Sequence, residues 1–241
     1  MIRIVNLTKK FDSTVAVDNL NLQIKKGELF VFLGPNGAGK TTTIKLITGL
    51  LRPTTGKVYV GEYDVEREYR EAKKLIGYVS DHPYLYEKLT GEEFLKFISE
   101  LYGVKNFDEK IQRQLDSFEL LEWKDRLIED YSHGMRQKLA IISALIHDPQ
   151  ILIIDEPLVA LDPKSARYIK KLFKKKTKEG ITIFLSTHML SLAEEVADRI
   201  GIINHGRLVF LGNIEEIRKE LRVSTSLEDI FLKITEEEPK P

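Results

Sequence analysis

The 241-residue chain contains no cysteine, three methionines and a single tryptophan. Without cysteine there is no disulfide framework, no zinc–thiolate site and no thiol nucleophile. Net charge is also absent, since Lys and Arg total 37 and Asp and Glu total 37. That balance disfavours a globally basic nucleic-acid binder, and no nucleic-acid partner is expected. One stretch, RYIKKLFKKKTKEG at 167–180, is locally basic, but it carries Ile169, Leu172 and Phe173 as a stripe. It reads as a solvated helix face whose lysines suit the C-terminal end of the helix dipole. Long hydrophobic runs are missing as well. The longest, LAIISALI at 139–146, falls well short of the ~18–20 apolar residues that cross a bilayer. The start, MIRIVNLTKKF, has no extended apolar segment of the signal-peptide kind. A soluble domain is expected, and any membrane role is that of a peripheral subunit.

What is present is enough chain to bury a full core and a texture that changes along its length. IRIVNL (2–7) and VAVDNLNLQI (15–24) are β-rich, and ELFVFL (28–33) is the nearly continuous apolar run of a strand buried on both faces. A helix follows in TTTIKLITGL, closed by Gly49 and RPTTG, and KVYVG and IGYVS read as further strands. From Pro83 the pattern becomes helical: Thr90 and Glu93 form a capping-box signature before FLKFISELYG, and a second helical pattern spans 108–121. Residues 83–147 are expected to be an entirely helical insert. After it, ILIID (151–155), ITIFLS (181–186) and RIGIIN (199–204) are buried strands separated by helices, the alternation of a mainly parallel α/β sheet.

Two stretches carry chemistry. GPNGAGKTT at 34–42 fits G-x-x-x-x-G-K-[ST] between a buried strand and a helix. Gly34, Gly37 and Gly39 let the backbone curl around phosphates, with Pro35, Asn36 and Ala38 between them, and the helix adds partial positive charge at its N-terminus. Lys40 supplies a charge for the β- and γ-phosphates, the Thr41 hydroxyl suits Mg²⁺, and Thr42 completes the loop. ILIIDEP at 151–157 delivers two acids at a strand's C-terminal end: Asp155 to hold Mg²⁺ through water, Glu156 as general base for an attacking water. The STH at 186–188 places His188 at the same sheet edge, within reach of a γ-phosphate, whereas His82, His147 and His205 read as surface or loop residues. Phe11, beside Lys9 and Lys10, is placed to stack on a purine. The expected ligands are ATP and Mg²⁺.

The order of these motifs, with YSHGM at 131–135 between the insert and the Asp-Glu strand, LVALD after it and STH last, resembles the ABC-family ATPase domain over nearly the whole chain. The resemblance implies a P-loop NTPase (RecA-like) fold with a mainly parallel core, an antiparallel β subdomain and a helical insert. Residues 1–82 and 148–222 would be the nucleotide-binding core with the β subdomain, 83–147 the helical subdomain, and 223–241 a C-terminal helix and tail. Ser132, His133, Gly134 and Met135 align with the family's signature loop, which caps a nucleotide held by a partner in a head-to-tail pair; Asp162 would lie at that interface. His133 stands where the family usually has glycine. Asp81 stands where it usually has a metal-sensing glutamine, and a carboxylate there can accept hydrogen bonds and bind a hydrated metal but cannot donate as an amide does. STSLEDIFLKIT near the end, with Leu227, Ile230, Phe231 and Ile234 at helical spacing, Ser226 as N-cap and Asp229 three residues later, resembles exporter subunits that work with separately encoded permeases. The resemblance therefore implies the ATP-hydrolysing subunit of a transporter, of exporter type, peripheral at the cytoplasmic face of the membrane. It would form a homodimer or pair with another ATPase subunit. The alternatives are a non-transport ABC ATPase (cluster-assembly, division or translation factor), which an adjacent multi-span permease gene would disfavour, and a P-loop kinase or switch, against which YSHGM, Glu156 and His188 together argue.

Overall fold

In the computed structural model, which describes residues 1–158, 161–216 and 231, the chain opens with a hairpin of β1 (Ile2–Phe11) and β2 (Thr14–Ile24). Ile2, Ile4, Leu20, Leu22 and Ile24 are buried in the alternation of strands with one face in a core. β3 (Leu29–Leu33) is buried at every residue and leads through the glycine loop into α1 (Lys40–Ile47). β4 (Thr55–Val60) pairs antiparallel with β1 and with the short β5 (Tyr63–Asp64). Next come α2 (Tyr69–Lys74) and β6 (Ile76–Val79), then the helical insert with α3 (Gly91–Leu101), α4 (Phe107–Ser117) and α5 (His133–Leu145). The core resumes with β7 (Ile151–Asp155), α6 (Pro163–Lys178), β8 (Thr182–Thr187), α7 (Leu190–Val196), β9 (Arg199–Asn204) and β10 (Arg207–Gly212).

Two sheets result, a four-stranded one in the order β2-β1-β4-β5 and a six-stranded one in the order β10-β9-β3-β8-β7-β6. The larger is parallel from β9 to β6, with β10 antiparallel at its edge. Its alternate side chains feed separate cores. Leu29, Val31 and Leu33 join the helices of the insert, while Phe30, Phe32 and Phe184 face the small sheet and α1. Those three rings pack at centroid distances of 5.5–6.4 Å, and truncating any one to alanine costs about 3–5 kcal/mol by analogy with other core aromatics.

Three expectations are corrected. The insert is not entirely helical: helix begins only at Gly91, where Thr90 Oγ1 accepts from Glu93 N at 3.2 Å and the Glu93 carboxylate accepts from Thr90 N at 2.8 Å. Residues 83–89 form only loop and turn, although Leu85 and Leu89 stand at helical spacing; Pro83 has no backbone N–H to give. The pattern at 108–121 is α4, which stops at Ser117, followed by single 3₁₀ turns at Leu121–Trp123 and Ile128–Asp130. Of the surface-or-loop reading of His147, the loop half holds, in the turn after α5, and the surface half does not: its ring is half-buried, stacked on Tyr102 at 3.9 Å, with Nε2 3.1 Å from the carbonyl of Ile76. Of the expected C-terminal helix, Ser226, Leu227, Asp229, Ile230 and Ile234 lie outside the described residues, and Phe231 packs against the larger core.

Candidate nucleotide site

β7, β8 and β3 are neighbours in parallel, so the loops leaving Asp155, Thr187 and Leu33 converge on one sheet edge, where open α/β sheets take ligands. The glycine loop arrives from β3. Its crest, Asn36 and Gly37, is exposed, Pro35 is half-buried, and Gly34 and Ala38 are buried. Gly39 caps α1 at φ +105°, and a Cβ there would come 2.3 Å from the carbonyl oxygen of Ala16 in the β1–β2 hairpin. Only glycine fits. The cap has no side-chain hydrogen bond, so the N–H groups that open α1 stay uncovered for an anion.

Lys40 is buried, and its ammonium donates to the carbonyls of Gly34 at 2.8 Å and Pro35 at 3.0 Å while lying 3.7 Å from Glu156 Oε1. Burial lowers its pKa from the ordinary lysine value, against the pull of Glu156 and Asp155. Asp155 is also buried; Thr41 donates to its Oδ2 at 2.7 Å and Ser186 donates to its Oδ1. Burial pushes this carboxyl up, and the two hydroxyls act in the opposite direction. Both shifts have one cause, charge held where little water reaches, and there fixed groups act strongly on phosphate. A hydroxyl beside a lone carboxylate is the all-oxygen donor set of a hard cation whose other ligands are water and phosphate. Among the described residues no cluster of three or more His, Cys, Asp or Glu holds a metal by protein alone. Thr42, next in α1, is half-buried.

Glu156 adopts φ +49°, a left-handed conformation that costs a non-glycine residue about 1–2 kcal/mol. Its N–H donates to the Ser186 carbonyl at 3.1 Å, fixing the turn, and its carboxylate points differently from that of Asp155. Oε1 meets His188 Nδ1 at 3.0 Å as well as Lys40, and Oε2 accepts from the Thr187 hydroxyl at 3.2 Å. Sequence reasoning missed Ser186 and Thr187. Both hydroxyls stand in the STH tripeptide, but what makes Ser186 functional, its place directly opposite Asp155, follows only from the parallel register.

The other expected residues stand further out. Phe11 is 43% exposed near the tip of the hairpin that Gly39 abuts, with Lys9 Nζ 4.9 Å from its ring centre. Asp81 follows β6 and turns toward His82, accepting from its N–H at 2.8 Å; its charge adds to the upward push on Asp155. Ser132 caps α5, its hydroxyl accepting from Met135 N at 3.3 Å, with Ser132 and His133 exposed and Gly134 and Met135 half-buried. Behind this exposed turn Arg136 donates to the carbonyls of Tyr131 at 3.2 Å and Glu129 at 3.0 Å and pairs with Glu87 at 2.8 Å. The buried Tyr131 hydroxyl, its pKa pushed up to about 12, donates to the Trp123 carbonyl at 2.8 Å. Asp162 caps α6, accepting from Ser165 N at 3.0 Å. Among the described residues no helix is long and apolar enough to cross a membrane.

Comparison with known proteins shows the family. The family model described as ABC transporter matches residues 17–159. The bacitracin transport ATP-binding protein BcrA of Bacillus licheniformis is 36% identical over 223 residues, covering 92% of this chain and 72% of that protein. A solved ATP binding subunit of an ABC transporter superposes with a TM-score of 0.92 at 29% identity, covering 97% of this chain and 99% of that one. A dimeric post-hydrolysis state of the ATP-binding cassette MJ0796, bound to ADP and Pi, gives a TM-score of 0.78 at 28% identity, covering 89% and 99%. The chain thus belongs to the ABC transporter family, as an ATP-binding and ATP-hydrolysing subunit of the P-loop NTPase fold.

Proposed function

We propose that two such subunits work head to tail beneath a separately encoded permease of exporter type, on the cytoplasmic face of the membrane. Similarity to a bacitracin transport subunit supports the export reading. Phe11 stacks on the purine, the loop from Gly34 to Thr42 wraps the phosphates, and Lys40 exchanges its carbonyl partners for phosphate oxygens. The Thr41 hydroxyl and, through water, Asp155 would hold Mg²⁺, with Asp81 as a further carboxylate for its water shell, and the ion would supply neutralisation of phosphate charge. Glu156 takes a proton from the water whose oxygen bonds to the γ-phosphorus as the bond to the β–γ bridging oxygen breaks, releasing ADP and phosphate. His188 positions the Glu156 carboxylate and stands ready for the γ-phosphate. In the pair, Ser132, His133, Gly134 and Met135 cap the partner's nucleotide and Asp162 lies beside them. A groove of about 500 Å³ lined by Tyr84, Leu85, Tyr86, Phe94, Phe97 and Leu101 receives a short cytoplasmic helix of the permease, next to Asp81.

The observation that carries this reading is the capped, exposed start of α5, clamped from behind and, among the described residues, joined to no catalytic side chain of its own subunit. The test is complementation. Lys40→Ala loses its own phosphate contacts and Ser132→Arg blocks the site across the interface, so each alone should be inactive. Mixed, they should recover part of the ATPase activity, since one hybrid arrangement keeps one intact composite site. No recovery at any mixing ratio, with dimers confirmed, overturns the trans arrangement.

A further inference from the structure

α4 ends in a backbone arrangement that suits glycine, and a glutamate stands in it. The N–H of Leu120 donates to the Leu115 carbonyl at 2.8 Å and that of Glu119 to the Asp116 carbonyl at 2.9 Å, the paired closure that most often places glycine at its left-handed position. Glu119 takes that position at φ +58°. The conformation is strained for a residue with a Cβ, and a negative charge sits at the helix end that disfavours anions. Local structure argues against this residue twice. What it gains is a bridge. Glu119 Oε1 accepts from the Lys164 ammonium at 2.7 Å, and Oε2 lies 3.9 Å from the Lys138 ammonium. Among the described residues neither lysine has another carboxylate within ion-pair distance. Lys138 belongs to α5, fewer than two turns beyond Ser132. Lys164 is the second residue of α6, directly behind its cap Asp162. The three side chains line one cleft of about 130 Å³ where α4, α5 and α6 meet, and beside it Phe118 packs edge-on against Tyr168 of α6 with centroids 5.2 Å apart. Hydrogen bonds from Ser165 hold the Asp162 carboxyl below its ordinary value, and the Lys138 charge acts in the same direction. The charge on α5 therefore reaches the cap of α6.

We propose that Glu119 is a positioning residue for ATP hydrolysis, which joins the start of α5 to the start of α6 through Lys138 and Lys164 and so presents Ser132 and Asp162 at one fixed spacing. That both are presented to the partner's nucleotide rests on the trans reading above; the joint itself does not. Exposed ion pairs add little stability one by one, so the bridge acts on the placement of two loops more than on the fold.

Glu119→Gly separates placement from stability. Glycine removes both local penalties as the two ion pairs are lost, so the thermal midpoint should hold within about 3 °C. ATP affinity of the subunit should stay within about twofold, and kcat should fall about five- to tenfold with KM little changed. Lys164→Met should lower kcat likewise, and the double variant should lose no more than the worse single, because both cut one bridge. A midpoint that falls further than that, wild-type kcat, or losses that multiply overturns the proposal. Complementation then reads the side of the interface. When Lys40→Ala is mixed with Ser132→Arg, the one working site pairs the phosphate loop of the Ser132→Arg chain with the α5 start of the Lys40→Ala chain. Glu119→Gly added to the Lys40→Ala chain should cut the recovered activity about five- to tenfold; added to the Ser132→Arg chain, it should leave that activity within about twofold. Equal effects from the two chains overturn the proposal. If the mixture recovers no activity, the trans reading falls, and the kcat of Glu119→Gly, Lys164→Met and their double variant still decides whether Glu119 joins the two helices.

Discussion

Helices α1 and α5 both begin at a polar loop, and they are finished in opposite ways. α1 starts at a glycine with no side-chain cap, its first residue Lys40 buried and its second, Thr41, bonded to Asp155 across the sheet edge. α5 starts at Ser132, whose hydroxyl already satisfies the Met135 N–H, and its first turn faces outward. A serine cap stabilises a helix by ~1 kcal/mol without any ligand, and a glycine cap leaves the donors free. On the proposed reading, phosphate completes the first terminus, while the second is already satisfied by its own serine and is free to meet a partner. One physical device thus serves two timings, decided by a single residue at the cap.

The sharpest way to break this contrast is at the chemistry that only α1's surroundings hold. Glu156→Gln should lower kcat by roughly 10²–10⁴-fold while ATP binding persists, and the trapped nucleotide should drive a dimer visible by gel filtration. Wild-type turnover would remove Glu156 from its role. A smaller and more direct contrast compares the caps themselves. Gly39→Ala must place a Cβ against the Ala16 carbonyl at a positive φ, so it should abolish ATP binding and lower the thermal midpoint. Ser132→Ala should cost only about 1 kcal/mol, a midpoint shift of roughly 2–4 °C, with ATP affinity of the isolated subunit retained. Differential scanning and nucleotide titration of the two variants side by side decide the matter; equal losses would mean that the caps are equivalent.

The smallest effect belongs to the far end of α5. Burial holds the His147 imidazole below its ordinary pKa, with Lys110 acting in the same direction and Asp148 and the Ile76 carbonyl against it. The unfolded chain therefore binds this proton more readily than the folded one. Stability should be flat above about pH 6.5 and should decline as pH falls from there toward the lowered folded value. His147→Phe preserves a ring against Tyr102 and removes the titration, so its midpoint should depend less on pH across that window. Identical slopes would assign the acid sensitivity to other groups.

The buried strands and the glycine loop were legible because each is written locally: five consecutive core residues in LFVFL, or a strand–loop–helix order that only one backbone path satisfies. Thr90 and Glu93 were legible for the same reason, a cap being a four-residue affair. What escaped depends on register and assembly. Ser186 reaches Asp155 only because β7 and β8 align residue against residue, which neither strand's sequence states alone. The surroundings of His147 come from Tyr102 and Ile76, remote along the chain. β10 carries a short apolar run, Leu208 to Leu211, but it lies at the edge of the sheet with exposed and half-buried residues alternating, and its pairing with β9 is set by the turn at His205 and Gly206.

The carbonyl of Ala16 occupies the space that any side chain at Gly39 would need, so the hairpin and the phosphate loop are locked to each other. The span from Phe11 to Lys40 is then a length fixed by backbone. With the purine stacked on Phe11 as proposed, an aromatic face registers a flat ring without examining the atoms along its edge. Such a site works as a gauge: it measures how far the phosphates lie from a ring and how many there are, and it is indifferent to which purine carries them.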